Sequence, residues 1–280
     1  KNTEPASAFF ALNVESGVLT PAFSVPAQVM QIIALDGGDF ALLCYYDRQA
    51  AERDPGWEEI DEIPFWGSGR GIFVGRRCRL YRYSPDAGSM EPITGETMQI
   101  EHLAGNGGGL VWSGIDYRDV YSARCGIYAY DVSERRTRCL VEPGVLFTAG
   151  LDILGERVML LSSGNAQDDA WQPQDLYGVP FAGGSLEKLA DWNIGCGFMT
   201  ALTDCALGGG TVCKASGKYF YFLSSEGCRA QIFRADCQGN ISRPLTQGLS
   251  SDVFDVFEDR LCCRTFFSDL MPYVSIKKRF

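Results

Sequence analysis

Acidic side chains in adjacent pairs are the residues of this 280-residue chain that first suggest chemistry. The pairs are Glu58-Glu59, Asp61-Glu62 and Asp168-Asp169. A glycosidase holds two carboxyl groups about 5 to 10 Å apart across a sugar, one as an acid and the other as a base or nucleophile. Adjacent acids in a charged stretch are more often a solvated loop, so a glycosidase is kept only as an alternative function.

Nucleophilic catalysis finds little support among the remaining residues. His102 is the only histidine, and histidine is the side chain whose ordinary pKa lies closest to neutral pH. It occurs in Ile100-Glu-His-Leu103, where we expect a packed or surface position. No Gly-x-Ser-x-Gly motif is present for a hydrolase serine, and residues 105–109 lack the pattern of a phosphate-binding loop. We therefore expect no catalytic residue on this chain.

The eleven cysteines could form disulfides or bind a metal, but their positions favour neither role. Their number is odd, no Cys-x-x-Cys occurs, and zinc sites need paired ligands at short spacing. Six of them lie in or beside apolar or strand-like stretches: Cys44, Cys78, Cys139, Cys213, Cys262 and Cys263. We predict reduced, apolar thiols in a cytoplasmic protein with no metal and no cofactor. Cys196, Cys205 and Cys213 come closest to a set of metal ligands.

The composition argues against two classes of partner. The formal net charge is −10 and is spread along the chain, so its field repels nucleic-acid phosphates and anionic lipid. No apolar run reaches the roughly 18 to 20 residues that span a bilayer. Hydrophobic residues make up 46% of the chain, which is enough for a large core. We expect neither nucleic acid nor a membrane as a partner.

A short sequence motif recurs five times, and the structural elements that it forms must position any functional site. It starts with an apolar pair that ends in an aromatic residue, passes through a turn, and closes on Leu or Ile. The copies begin at Phe9-Phe10, Leu80-Tyr81, Ile127-Tyr128, Leu176-Tyr177 and Ile232-Phe233. In the last four copies, the closing residue lies twelve positions after the aromatic: Ile93, Leu140, Leu189 and Leu245. The first copy is expected to close earlier, at Leu19-Thr20, and such a period is typical of repeat architectures.

We interpret each copy as a β-hairpin that alternates with a second hairpin. One such second pair is Val29 to Ala34 and Phe40 to Tyr46, joined by Asp36-Gly-Gly-Asp39. Two hairpins make a four-stranded antiparallel blade, and radial stacking of blades protects the sheet edges. The sequence therefore predicts an all-β fold, a β-propeller in which residues 1–280 form a single domain.

The number of repeats predicts an incomplete ring. Four full blades are flanked by half-units, since Phe9-Phe10 has no inner pair before it and residues 271–276 begin a sixth outer hairpin. We expect about five blade units, cut from a longer chain at both ends. The two unpaired edge strands invite pairing between chains, which makes a homo-oligomer through blade edges a candidate assembly.

One interval breaks the period. Residues 47–73 are rich in charge, glycine and tryptophan and form an inserted excursion. Within it, Ile63, Phe65 and Trp66 are large apolar residues flanked by charge and glycine. Two interpretations stay open, namely aromatics that pack on a neighbouring blade, or an aromatic lip that faces a partner domain or a substrate. Exposed aromatic residues tend to mark interfaces.

The same region carries a resemblance to a known family. The motifs are Trp57-Glu-Glu-Ile-Asp-Glu-Ile-Pro-Phe-Trp66, Gly69-Arg-Gly-Ile-Phe73, Arg76-Arg-Cys-Arg-Leu-Tyr81 and Glu91-Pro-Ile-Thr94. They resemble the β-propeller domain of acylaminoacyl-peptidase-like members of the prolyl oligopeptidase family of serine peptidases. The resemblance covers nearly the whole chain, but only residues 57–94 are specific, because blade repeats occur in many unrelated propellers.

The resemblance implies both a function and a partner. In that family a propeller, commonly seven-bladed, precedes an α/β-hydrolase domain that holds Ser, Asp and His, and it limits access to short peptides. No triad residue can be carried over, so we expect this chain alone to be inactive. Its expected partners are short peptides and a C-terminal α/β-hydrolase domain on the same polypeptide. The candidate substrate-gating or domain-interface residues are Phe65, Trp66, Arg70 and Phe73. The alternative, from a different functional class, is a free-standing propeller that acts as an interaction scaffold.

Overall fold

The chain folds as a succession of antiparallel β-sheets. The computed structural model describes residues 7–48, 56–57, 59–67, 71–164, 173–195, 211–226, 229–245, 250–258, 260–267 and 270–278. The regular elements in these ranges are strands, which confirms the predicted all-β class. The same ranges include no helix with the length and hydropathy of a membrane span.

A hairpin and a first full sheet open the chain. The hairpin consists of β1 (Ser7–Leu12) and β2 (Leu19–Val25). The first full sheet contains β3 (Val29–Ala34), β4 (Phe40–Asp47), β7 (Arg76–Ser84) and β8 (Ser89–Pro92). Between β4 and β7, the excursion forms a short ladder of β5 (Trp66–Gly67) and β6 (Gly71–Ile72).

Three further four-stranded sheets and a last sheet of three strands follow. The second full sheet contains β9 (Met98–Asn106), β10 (Gly109–Asp116), β11 (Gly126–Asp131) and β12 (Arg136–Val141). The third contains β13 (Phe147–Leu154), β14 (Arg157–Ser163), β15 (Gln174–Pro180) and β16 (Glu187–Ile194). The fourth contains β17 (Cys213–Ser216), β18 (Tyr219–Glu226), β19 (Arg229–Ala235) and β20 (Ile241–Ser242). The last contains β21 (Ser250–Phe257), β22 (Arg260–Phe267) and β23 (Leu270–Lys278).

These sheets are stacked as propeller blades. Strands pair in chain order within each full sheet, and the first strands of successive sheets pack side by side: β3 on β9, β9 on β13, β13 on β17 and β17 on β21. The predicted turn Asp36-Gly-Gly-Asp39 joins β3 to β4, with φ of 87° at Gly37 and 88° at Gly38, a backbone region that glycine enters without steric cost. The prediction of a partial propeller with four-stranded blades is confirmed.

Apolar residues cover both faces of the central blades. On β10, Trp112 is fully buried against the first blade, while its neighbour Val111 is fully buried against the third. On β14, Leu160 and Leu161 separate in the same way between two clusters. Because successive side chains of a strand point to opposite faces, a blade between two others needs a continuous apolar run. This requirement produces the runs seen in the sequence.

The twelve-residue interval of the repeat corresponds to a β-bulge in the outer hairpin. In the second blade, Tyr128 pairs with Cys139 and Ile127 pairs with Val141, so Leu140 is the extra residue. Such a bulge bends the strand and increases its twist. The third blade repeats the bulge, with Leu189 as the extra residue, so in these two blades the fixed spacing records an increase in strand twist.

The first copy of the repeat follows this rule and corrects one prediction. Phe9-Phe10 pairs with Phe23 and Pro21, so Ala22 is the extra residue, twelve positions after the second phenylalanine. Leu19-Thr20 instead begins the returning strand. The expected earlier closure was wrong because it took the first apolar residue of that strand for the bulge.

The described cysteines are free thiols. Eight fall in the described ranges: Cys44, Cys78, Cys125, Cys139, Cys213, Cys237, Cys262 and Cys263. Burial raises the pKa of Cys44 to about 11, and burial together with the charge of Glu101 raises that of Cys125 to about 12. Cys139 is exposed, contrary to the expected packing role. Cys196 and Cys205 lie outside the described residues, within which no group of His, Cys, Asp or Glu could hold a metal ion.

The packing between the third and fourth blades can be tested at Phe222. This buried ring stacks on Phe233 and meets Trp192 edge-on, with centroids 5.9 and 5.7 Å away. Phe222→Ala is expected to lower the free energy of unfolding by about 3 to 5 kcal/mol, because it leaves a cavity. The matched control, Phe257→Ala, removes a ring that is 71% exposed. This change should alter the free energy of unfolding by less than about 0.5 kcal/mol. Urea titration would measure both, and equal losses would contradict the packing described.

Candidate functional site at the excursion

The two faces of the propeller carry connections of very different length. Strand direction alternates, so the turns after the first and third strands lie at one face and the connections after the second and fourth lie at the other. The first face has tight turns, such as Gly107-Gly108. The other receives the excursion, which joins β4 to β7, and residues 117–125, which join β10 to β11. Binding residues commonly lie on long loops held by a rigid scaffold, so the functional site is sought at this second face.

A buried ion pair fastens the excursion to the first blade. Glu62 and Arg77 are each 1% exposed, and two guanidinium nitrogens contact the two carboxylate oxygens at 2.6 and 3.0 Å. The same carboxylate accepts hydrogen bonds from the Gly75 amide at 3.0 Å and from Arg48 at 3.2 Å. A bidentate, charge-assisted pair of this kind fixes the geometry of both groups.

Arg77 extends this anchor to the next blade. Its guanidinium donates to the carbonyl oxygens of Tyr117 at 3.1 Å, Thr97 at 3.3 Å and Arg76 at 2.9 Å. The Tyr117 ring lies 3.8 Å from the guanidinium carbon. Desolvating two charges is costly unless they are paired and hydrogen-bonded, and here these contacts meet that condition. One side chain thus joins the excursion, the first blade and the segment that follows β10.

The anchor changes the interpretation of the acidic pair Asp61-Glu62. Asp61 is half-exposed, as expected of a solvated loop, and lies 3.6 Å from Arg48. For Glu62 that expectation is wrong, because the carboxylate is buried among two arginines and an amide. A carboxylate held in this way cannot protonate a sugar, which removes one pair from the glycosidase alternative. Glu58 and Asp168-Asp169 lie outside the described residues.

Backbone hydrogen bonds also attach the excursion to the second blade. Ile63 and Val120 form a parallel bridge, in which the Ile63 amide donates to Asp119 at 2.7 Å and the Ile63 carbonyl accepts from Tyr121 at 2.8 Å. Within the excursion, the Phe73 amide donates to the Phe65 carbonyl at 3.0 Å. The described part of the excursion is therefore held at several points.

The aromatic lip, defined as Ile63, Phe65 and Trp66, faces solvent. The exposed fractions are 64% for Ile63, 44% for Phe65 and 58% for Trp66. Val120, which bridges to Ile63, is 63% exposed. These values favour the interpretation as a lip over packing on a neighbouring blade. Arg70, the other predicted residue of this stretch, lies outside the described residues.

A cavity of about 750 Å³ lies between the first and second blades at the same face. Phe73 is the predicted site residue that lines it, whereas Phe65 and Trp66 lie outside its wall. The other lining residues are Gln28, Met30, Tyr45, Asp47, Pro64, Arg76, Arg77, Cys78, Gln99, Glu101, Tyr117 and Tyr121. The site thus combines a cavity with an exposed apolar lip.

Sequence reasoning missed the other lining residues, among them Glu101 and Tyr121. The Tyr121 hydroxyl donates to the Glu101 carboxylate at 3.0 Å. Burial, reinforced by the charge of Glu101, raises the pKa of Tyr121 far above its usual value, so the phenol keeps its proton. Neighbouring His102 has its Nδ1 2.9 Å from the buried Ser113 hydroxyl, and burial lowers the histidine pKa against the opposing effect of Glu101. Of the two positions expected for His102, packed or at the surface, the structure shows the packed one.

Comparison with solved structures finds a similar propeller fold in peptidases. Uncomplexed acylaminoacyl peptidase from Pyrococcus horikoshii matches 98% of this chain at 14% identity, with a TM-score of 0.69. A puromycin-hydrolyzing peptidase from Mycobacterium tuberculosis matches 98% of this chain at 14% identity, with a TM-score of 0.62. The β-propeller domain of the trilobed protease from Pyrococcus furiosus matches 97% of this chain at 10% identity, with a TM-score of 0.59. These matches confirm the predicted propeller fold.

The chain spans about 40% of the length of the two full peptidase chains and 75% of the third. A scan against protein-family models and a search of curated proteins found no match. Identities this low establish a shared fold and leave activity to be argued from the site.

The anchor can be tested by removing its negative charge. Glu62→Gln is expected to lower the free energy of unfolding by about 3 to 5 kcal/mol, because the Arg77 guanidinium stays buried without a countercharge. The matched control is Asp61→Asn, the same change on the adjacent exposed acid, with an expected effect below about 0.5 kcal/mol. Denaturant titration at neutral pH measures both variants. Similar small losses in the two would show that the buried pair does not hold the excursion.

Proposed function

We propose that this chain is the non-catalytic propeller domain of a serine exopeptidase or oligopeptidase. In this proposal residues 1–280 form one domain with an excursion at 47–73, and an α/β-hydrolase domain lies elsewhere on the same polypeptide. The propeller limits access to that active site to short peptides. The observation that carries the proposal is the match of 98% of this chain to about 40% of an acylaminoacyl peptidase chain.

The chemistry of the chain supports a non-catalytic role. The sequence has no Gly-x-Ser-x-Gly motif, and its one histidine, His102 on β9, contacts the buried Ser113 hydroxyl on β10. A serine hydrolase needs a nucleophile, a base and an acid that orients the base. Peptide hydrolysis by the proposed enzyme therefore requires another part of the polypeptide.

The location of the lip and the cavity supports a role at the approach to that active site. Both lie at the face with the long connections, and the excursion that forms them is anchored by Glu62 and Arg77. In the proposal, the exposed Phe65 and Trp66 contact the hydrolase domain or a peptide, and Phe73 lines the cavity beside them. Arg70 belongs to this set on the sequence alone.

Location and assembly complete the proposal. The free thiols of the described cysteines favour the reducing cytoplasm. Homo-oligomers through blade edges are included, because an exposed strand edge can pair with a strand of another chain. The second candidate is a free-standing interaction scaffold, which the exposed apolar side chains of the excursion favour.

The non-catalytic role can be tested with two proteins, this 280-residue chain and the full polypeptide that contains it. The chain alone should not hydrolyse acetyl-alanyl p-nitroanilide above the blank rate. The full polypeptide should hydrolyse this reporter and leave folded proteins intact. Hydrolysis by the chain alone would refute the non-catalytic role, and an inactive full polypeptide would favour the scaffold.

The lip can be tested in the full polypeptide with Phe65→Ala and Trp66→Ala. Because these side chains are largely exposed, the melting temperature should stay unchanged. The ratio of kcat/KM for a hexapeptide to that for a dipeptide reporter should change about tenfold, which corresponds to about 1.4 kcal/mol. Phe257→Ala, at another exposed phenylalanine, is the control. A lower melting temperature with an unchanged ratio would indicate that the two aromatics serve packing.

A further inference from the structure

The innermost strand of the second blade carries an extra residue, Glu101. On β9 and β10, His102 pairs with Ser113 and Ile100 pairs with Gly114, which leaves Glu101 without a cross-strand partner. A bulge re-aims the side chain of its extra residue and commonly occurs next to functional sites. Here the re-aimed side chain lines the cavity between the first two blades.

A second bulge faces the same cavity from the first blade. Met30 is the extra residue between Val29 and Gln31 on β3, and it lines the cavity as well. The innermost strands β13 and β21 carry a bulge as well, so this irregularity recurs among the blades. What distinguishes the cavity is the pair of side chains, Glu101 and Met30, that the bulges bring to its wall.

The carboxylate of Glu101 differs from the other acids of the excursion and cavity in its partners. Glu62 is paired with Arg77, and Asp47 lies 3.3 Å from Arg76. Glu101 accepts a hydrogen bond from the Tyr121 hydroxyl. In the part of the chain that the structure describes, no lysine or arginine lies within ion-pair distance of it. Among the described residues, the cavity therefore holds one half-buried carboxylate that has no basic partner.

The walls around this charge suit an organic cation. Tyr45 and Phe73 contribute aromatic side chains, and Tyr121 adds a third beside the carboxylate. The Tyr117 ring also lines the cavity but already lies against the Arg77 guanidinium. Aromatic faces attract ammonium and guanidinium groups, and the attraction grows as the cation loses water. A carboxylate within such walls supplies the countercharge that a desolvated cation requires.

We propose that this cavity binds a primary ammonium or guanidinium group of a peptide, with Glu101 as the countercharge and Tyr121 holding the carboxylate in place. The peptide as ligand rests on the proposed function, whereas the cation site rests on the cavity itself. A peptide offers this chemistry from two sources, its N-terminal amine and its basic side chains.

Calorimetric titration of the 280-residue chain with three tetrapeptide amides separates the sources. Ala-Ala-Ala-Ala amide carries only the N-terminal cation, acetyl-Lys-Ala-Ala-Ala amide carries only a side-chain cation, and acetyl-Ala-Ala-Ala-Ala amide is neutral. At least one charged peptide should bind at least tenfold more tightly than the neutral one, and the stronger of the two identifies the source. Equal affinity for all three, or binding of none, would overturn the proposal.

A variant locates the site. Glu101→Gln keeps the size of the side chain. It should lower the affinity for the charged peptide at least tenfold and leave the affinity for the neutral peptide unchanged. Glu91→Gln makes the same change at an exposed glutamate and should have no effect. Unaltered binding in Glu101→Gln would refute this location, and the comparison of peptides on the unaltered chain stands even if the variant does not fold. Because binding is read without hydrolysis, loss of this site and failure of the peptidase proposal give different results.

Discussion

The ion pair between Glu62 and Arg77 is the constraint on which the functional face depends. A buried guanidinium is tolerated only where every charge and donor is satisfied, and Arg77 finds its partners on three separate segments. The excursion cannot leave its place without stranding that cation. As a result, the described part of the excursion is held against two blades, with Phe73 in the cavity wall and Ile63 beside Val120.

Most of the propeller could be predicted because its determinants are local and repeated. A blade covered on both faces needs an unbroken apolar strand, which is visible in the sequence at Val158 to Leu161. The outer hairpin needs a bulge, which is visible as a constant spacing such as Tyr128 to Leu140. Each signal lies within one blade and recurs, so even the first copy obeys it although its closing residue, Ala22, looked unlike the others.

The site was less predictable because it is formed by contacts between distant segments. Asp61 and Glu62 have the same charge and neighbouring positions, yet one is half-exposed and the other is buried, and the difference arises from where Arg77 lies in space. The cavity likewise joins parts of two inner strands, the excursion and the segment after β10. One local signal was present: Glu101 and His102 are consecutive polar residues in an inner strand, a break in alternation typical of a bulge.

The charge of the chain and the unbalanced charge of the cavity have different consequences for a cationic peptide. A formal charge of −10 attracts any cation and affects mainly the rate of encounter, an effect that salt screens. A single half-buried carboxylate selects where the cation comes to rest, because its neighbours Asp47 and Glu62 are already paired with arginines. Additional affinity for a peptide has to come from the apolar surface that binding buries. The exposed Phe65 and Trp66 provide such surface. In the proposed peptidase, Glu101 would therefore set the direction in which a peptide lies, and the lip would set how firmly it is held.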